Sequence, residues 1–396
     1  MSSGVIANLK DHVENDARLS DETLRRVTVG RSHLVDFLNE RYLQEFIPLG
    51  GGKVKLVQGG RGRGKSHFLA EVGRVAGEFG YVVSQVDARV TPIHEFQNLY
   101  RSVAAAIHPE DMLQTLYHEI LRESNLVDDP ESLSEPIVDV WRREGTEGLY
   151  ARVLRKAVES VFKDKNLNRS FATAIALGVT HLSGLQRLTD PEWEALQRWL
   201  LGEPLPKRET RSLRIYQRVD RFTGRDLLRS WAELATSHLD KKGILILVDN
   251  LETLLTYSKL KRDAAYENLR QFIDDVDQAS YVFMLVAGED DLRTNQKRGL
   301  YSYQALWQRL SDEITIRRPN RFADLINLDQ YELTEEELRE LARQLCLVWE
   351  EETGAAAPAQ SLVSRRVNEA QAGAGQYVPP GNLVRSLLQD FEGRRA

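Results

Sequence analysis

Residues 59–66 read Gly-Gly-Arg-Gly-Arg-Gly-Lys-Ser and fit the phosphate-loop pattern G-x-x-x-x-G-K-[ST] without deviation. Such a loop works only between a strand and a helix, so it restricts the fold more than any other feature of the chain. The run Val54-Lys55-Leu56-Val57 leads into it as a strand, and His67-Phe68-Leu69-Ala70-Glu71-Val72 leads out as a helix. Glycines let the chain curl so that backbone N–H groups converge on phosphate oxygens, and the helix start adds its positive dipole end. Gly59, Gly60, Arg61, Gly62, Arg63 and Gly64 therefore form the candidate cradle. Lys65 is placed to bridge the β- and γ-phosphates and Ser66 to hold Mg²⁺ through its hydroxyl, and His67, next on the helix, completes the candidate nucleotide-binding residues of the loop. Arg61 and Arg63 can touch a phosphate or a partner, but as loop residues they are read as solvated tips.

The rest of the chain reads as strands interrupted by helices. Residues 5–45 look helical, and Gly51-Gly52 turns the chain into the first strand. A second strand, Tyr81 to Val86, ends at Asp87, and a helix follows from about Pro92 to Ile107. Strand character returns in Ile244-Leu245-Ile246-Leu247-Val248-Asp249 and in Tyr281 to Ala287, both continuous apolar runs of the kind covered on both faces. A last short strand is expected at Glu313–Ile316 or at Leu325–Leu328. Residues 334–352 read as a charged amphipathic helix, and Pro379-Pro380-Gly381 opens another. The expected organisation is an N-terminal helical segment (1–50), a phosphate-loop core (51–110 and 226–330), a helical insertion (111–225) and a C-terminal helical lid (331–396). The fold class is α/β, a P-loop NTPase of the AAA+ or ASCE kind with a parallel sheet.

Asp249 closes an aliphatic strand, the Walker B pattern, and is the second candidate ligand for Mg²⁺. The next residue is Asn250, where most such ATPases carry Glu. An amide can orient a water molecule but cannot take its proton. Glu252 can supply that base, or it can cap the helix that follows; both readings stand. Glu289, after the strand ending at Ala287, is the alternative acid.

The formal net charge of −6 leaves no global field to draw in nucleic acid, so any such contact needs a local patch. Residues 207–229 offer one, with Lys207, Arg208, Arg211, Arg214, Arg218, Arg221, Arg225 and Arg229 against few acids. The spacing from Arg211 to Arg221 predicts four arginines on one helical face, able to meet double-stranded DNA or to pair internally. Arg317-Arg318-Pro319-Asn320-Arg321 is a second, weaker cluster. Cys346 is the only cysteine, which removes intramolecular disulfides and suits a reducing cytoplasm. The opening residues are not read as a signal peptide, and no apolar run is long enough to span a membrane. Trp141, Trp193, Trp199 and Trp231 fit helical packing, and the scattered His108, His118 and His181 are read as ordinary residues.

Several blocks match one family. They are Thr28-Val29-Gly30-Arg31, Gly64-Lys65-Ser66-His67-Phe68-Leu69, Thr91-Pro92-Ile93-His94-Glu95-Phe96, Phe222-Thr223-Gly224, and Arg298-Gly299-Leu300-Tyr301-Ser302-Tyr303-Gln304-Ala305-Leu306 with Arg309-Leu310. On these the chain resembles the BREX-type ATP-binding proteins of a bacterial phage-exclusion system, distant relatives of origin-recognition ATPases of the AAA+ class. The resemblance runs from about 28 to 390 and is looser over 110–205. It implies ATP as the nucleotide, Gly30-Arg31 near the adenine, Arg309 as an arginine finger toward a neighbour in a homo-oligomer, and Arg385 as the lid arginine. It implies a role in phage defence beside other defence-system subunits. Asn250 departs from the family pattern, which bears on hydrolysis and not on binding. Two functions stay open: a working ATPase acting on DNA or a defence partner, and a nucleotide-gated switch that hydrolyses little.

Overall fold

The computed structural model describes residues 4–163, 165–275, 279–314, 321–372 and 379–393. Helices α1 (Val5–Asn15) and α2 (Asp21–Val27) precede α3 (Ser32–Leu38), which runs into a stretch of π-helix, Asn39–Phe46. The expected long N-terminal helix is thus broken. Asp16 and Arg31 turn the chain at positive φ, and Ser20 caps α2 by accepting from the Thr23 N–H. Strand β1 (Lys53–Gln58) enters the phosphate loop, α4 (Lys65–Glu78) leaves it, and β2 (Val82–Asp87) follows. The chain then builds α5 (Phe96–Ile107), α6 (Pro109–Glu123), α7 (Ile137–Glu144), α8 (Glu147–Val161), α9 (Arg169–Ser183), α10 (Asp190–Leu200), α11 (Lys207–Ser212) and α12 (Gly224–His238) before β3 (Ile244–Asp249). Helix α13 (Lys259–Asp274) leads to β4 (Val282–Gly288), and α14 (Asp291–Thr294) and α15 (Gln304–Ile314) lead to β5 (Leu325–Asn327). Helices α16 (Glu335–Thr353), α17 (Gln360–Ala372) and α18 (Pro380–Glu392) complete the order. The alternative last strand at 313–316 runs into residues 315–320, which lie outside the described ones, as does most of the 317–321 basic cluster.

The five strands are all parallel, in the order β2-β3-β4-β1-β5. Strand alternation explains the apolar runs. Ile244, Ile246 and Val248 pack with α5, α12 and α13 on one face, while Leu245 and Leu247 pack with α3 and α4 on the other. This is the α/β architecture of a P-loop NTPase. The helices between β2 and β3 share the first of those cores. Trp231 Nε1 donates to the Tyr100 hydroxyl at 3.1 Å, and that hydroxyl donates to the Leu200 carbonyl at 3.0 Å. Trp141, Trp199 and Trp231 are buried, and Trp193 stacks on His181. A third core joins the two ends of the chain, with Leu9 and Leu24 of α1 and α2 against Leu345 and Trp349 of α16 and Phe391 of α18. Among the described residues no helix is long and apolar enough to cross a membrane.

The arginine stripe is corrected. Helix α11 ends at Ser212, and Arg214 sits at φ 56°. Leu213 and Ile215 are both buried, and a spacing of two cannot share one helical face. The segment is therefore a loop that sends Arg214 and Tyr216 outward. Arg211, Arg218 and Arg221 are also exposed, whereas Arg229 is buried against Asp226 and Arg225 leans over the Phe96 ring.

Candidate nucleotide site

Parallel strands place ligands beyond their carboxyl ends, and here the register sets the acids in a row. Asp87 at the end of β2 lies beside Asp249 at the end of β3, and Gln58 before the loop lies beside Gly288 at the end of β4. Gly64 caps α4 at φ 79° and Gly62 lies at φ 76°, a region where a side chain is strained. Lys65 Nζ donates to the carbonyls of Gly59 and Gly60 at 2.9 and 3.1 Å, so its charge is held at the inside of the loop. Ser66 and Asp249 line one cleft of about 300 Å³ together with Asp87 and Asn250.

Asn250 takes a left-handed conformation, φ 60°, which Asn tolerates better than most residues. Its backbone N–H donates to Asp249 Oδ1 at 2.8 Å and its side-chain amide donates to Asp87 at 3.2 Å. Burial opposes the charged form of Asp87, but hydrogen bonds from Arg89 and Asn250 outweigh it and hold the carboxyl below its ordinary value. The turn at Asn250 feeds a short 3₁₀-helix, Leu251–Thr256, that carries Glu252 back toward β4. There Glu252 accepts the Glu289 N–H at 3.1 Å. Burial raises the Glu252 pKa, against the pull of the hydrogen bonds and of the Lys65 charge. Glu289 contributes its backbone N–H here. Asp290, next along, is raised by burial and by the Asp329 carboxylate.

The back of the loop is braced by arginines. Arg63 is buried, with Nε 2.9 Å from Asp329 and the guanidinium 3.7 Å from Glu332. The reading of Arg63 as a solvated tip is thus corrected: two acids after β5 draw it inward, whereas Arg61 is exposed. Arg31 donates to the Arg63 carbonyl at 2.7 Å and the Tyr331 carbonyl at 2.8 Å. Burial, with the nearby Arg63 charge, brings Arg31 down to about 10, so it stays protonated at neutral pH. Gly30, at φ 73°, passes so close to Leu333 that an added Cβ would lie 2.2 Å from it. His67 Nε2 lies 2.8 Å from Thr28 Oγ1, and burial takes the imidazole down to about 4, leaving it neutral at neutral pH. The start of α18 rests on the loop tip, where the Gly381 N–H donates to the Gly62 carbonyl at 3.1 Å.

The structure gathers Gly30, Arg31, the loop, Asp249, Asn250 and Glu252 at one edge. It leaves two candidates elsewhere. Arg309 pairs with Asp274 of α13, with Nη2 2.6 Å from Oδ2, and Arg385 is exposed further along α18. Sequence reading missed the bracing acids Asp329 and Glu332, and also Asp87, although an acid closing a buried strand was the signal used for Asp249. The donor set fits a nucleotide with Mg²⁺. Ser66 and Asp249 offer the hard oxygens that Mg²⁺ takes, while phosphates and water complete such shells. Among the described residues no cluster of three acidic, histidine or cysteine side chains could hold a metal ion.

The model of one protein family, described as BREX system ATP-binding protein BrxC/D, matches residues 20–392 of the chain. No curated protein matches it.

Proposed function

The chain belongs to the family of BREX system ATP-binding proteins BrxC/D, and on that premise we propose that it is an AAA+-like ATPase of phage defence. It binds ATP with Mg²⁺ in the cytoplasm and acts on DNA or on another subunit of the defence system. The observation that carries this reading is the meeting of Ser66 and Asp249 in one cleft, with Lys65 on the loop above and the Glu252 carboxylate fixed by the Glu289 N–H. Ser66 and Asp249 would hold Mg²⁺, which would supply neutralisation of phosphate charge. Lys65 would exchange the carbonyls of Gly59 and Gly60 for phosphate oxygens. Gly30 and Arg31 would border the base, and Glu252 would take the proton of the attacking water. Arg309 would serve a neighbouring copy as arginine finger only after leaving Asp274, and Arg385 would follow the lid.

Lys65→Ala is expected to weaken ATP binding by about 10- to 100-fold, the worth of a charge-assisted hydrogen bond. Titration with a fluorescent ATP analogue measures it, and an unchanged affinity would remove the nucleotide site from Lys65. A second reading, a nucleotide-held switch with little turnover, is favoured by Asn250, whose amide is engaged with Asp87 and can accept no proton. Steady-state hydrolysis separates the two readings: tight binding without turnover selects the switch.

For the DNA contact, the support is the exposed stretch from the last turn of α11 onward. Arg211, Arg214, Arg218 and Arg221 share it with Tyr216 and Phe222, which are 72% and 73% exposed. Cationic groups with aromatic faces suit phosphates and bases. Replacing the four arginines by alanine is expected to reduce the slope of log affinity against log salt by about 1 for each phosphate left without its arginine. Equal slopes for both proteins would exclude this loop as the DNA-binding element.

A further inference from the structure

The segment joining α1 to α2 borders the cleft that Ser66 and Asp249 line. Asp16 and Arg18 line the same cleft as Ser66, Asp87, Asp249 and Asn250. The segment is a built feature. One guanidinium, that of Arg89, spans two acids: its Nη1 donates to Asp16 at 2.5 Å, and its Nε and Nη2 donate to Asp87 Oδ2 at 3.0 and 2.6 Å. Asp16 turns the chain at φ 54°, the Ala17 carbonyl lies 2.7 Å from His12 Nδ1, and Leu19 is buried in the helical core beyond. The nearest acids of the cleft rim are therefore already neutralised by Arg89.

Arg18 differs from its neighbours. Its guanidinium makes no hydrogen bond or ion pair with any described residue, although Asp16 and Asp87 line the same cleft. A cation carried by a fixed segment into the cleft that also holds Ser66 and Asp249 is matched to an anion. The terminal phosphate of a nucleotide whose Mg²⁺ would be held by Ser66 and Asp249 would supply it, and arginine matches phosphate oxygens by paired donors.

We propose that Arg18 is a cis-acting arginine that binds the terminal phosphate of ATP, with the Asp16–Arg89–Asp87 clasp as its positioning device. This rests on the ATP–Mg²⁺ reading above. It makes the segment between α1 and α2 a sensor that distinguishes ATP from ADP within one chain. Donation to the oxygens of the transferred phosphoryl group would also stabilise their growing charge in hydrolysis.

The test is the affinity of the full chain for ATPγS and for ADP, each with Mg²⁺, in the wild type, Arg18→Ala, Arg18→Lys and Arg89→Ala. The expected result is that Arg18→Ala weakens ATPγS by about 10-fold or more and ADP by less than about twofold. Arg18→Lys should recover part of the loss, and Arg89→Ala should shift ATPγS in the same direction by less. Where the wild type turns over ATP, Arg18→Ala should slow it by about 10³-fold, the low end for a catalytic arginine. Equal losses for the two nucleotides, or none, overturn the proposal while leaving the nucleotide site standing. A wild type that binds neither nucleotide overturns the ATP–Mg²⁺ reading itself, and the proposal with it. Arg18 is exposed, so unchanged thermal unfolding of Arg18→Ala is the check that the variant folds.

Discussion

Glu252→Gln is expected to lower ATP turnover by about 10²- to 10⁴-fold, the usual worth of a general base. ATP affinity should hold within about twofold, because glutamine keeps the shape and still accepts the Glu289 N–H. The pH profile makes the test specific. Burial raises the Glu252 pKa, and a base works only when deprotonated. Turnover should therefore be lost as pH falls through a value above the ordinary glutamate range, and it should level off above that value. The glutamine variant should lack this acid limb. If turnover survives in Glu252→Gln and falls instead in Glu289→Gln, the base is Glu289. Asn250→Glu is not expected to restore the activity that Glu252→Gln removes. Position 250 lies at φ 60°, where a residue other than glycine, asparagine or aspartate costs about 1–2 kcal/mol, and the turn there is what carries Glu252 to β4.

Lys55→Ala is expected to destabilise the fold by about 3–5 kcal/mol, as for loss of one partner from a buried ionic cluster. Lys55 sits in the middle of β1 and is fully buried. Its ammonium donates to the carbonyls of Arg321, Phe322 and Ala323, lies 3.9 Å from Asp324, and stands 4.8 Å over the Tyr42 ring. Alanine would leave those carbonyls without their donor and a cavity beside Tyr42. Lys55→Met fills the space and should cost less. Denaturant unfolding of the three proteins measures both. A loss below about 1 kcal/mol for alanine would mean that water replaces the ammonium and that the clamp adds little.

The sequence was legible where one backbone pattern serves one purpose. The phosphate loop, the apolar strands and Asp249 could be read because glycine, aliphatic and acidic residues there answer to local rules of curling, burial and strand ending. Other features depended on distance. Lys55 sits within a run read only as a strand, and the carbonyls before β5 are what make it a buried cation. Arg63 was read as a solvated tip because nothing nearby in sequence shows Asp329 and Glu332 behind it. The arginine stripe looked helical because arginine spacing carries no information about Leu213 and Ile215, whose burial dictates the path.

By itself the sequence determined that this chain folds around a phosphate loop and a parallel α/β sheet, since that motif and the continuous aliphatic strands have few other solutions. Tertiary structure alone decided which groups meet at the loop. It set Asp87 beside Asp249 through strand register, turned Glu252 back to the Glu289 N–H, and brought the start of α18 to Gly62 and Arg18 to the cleft. The physical reason is that local rules specify an element, whereas contacts between residues far apart in the chain arise only when the elements pack.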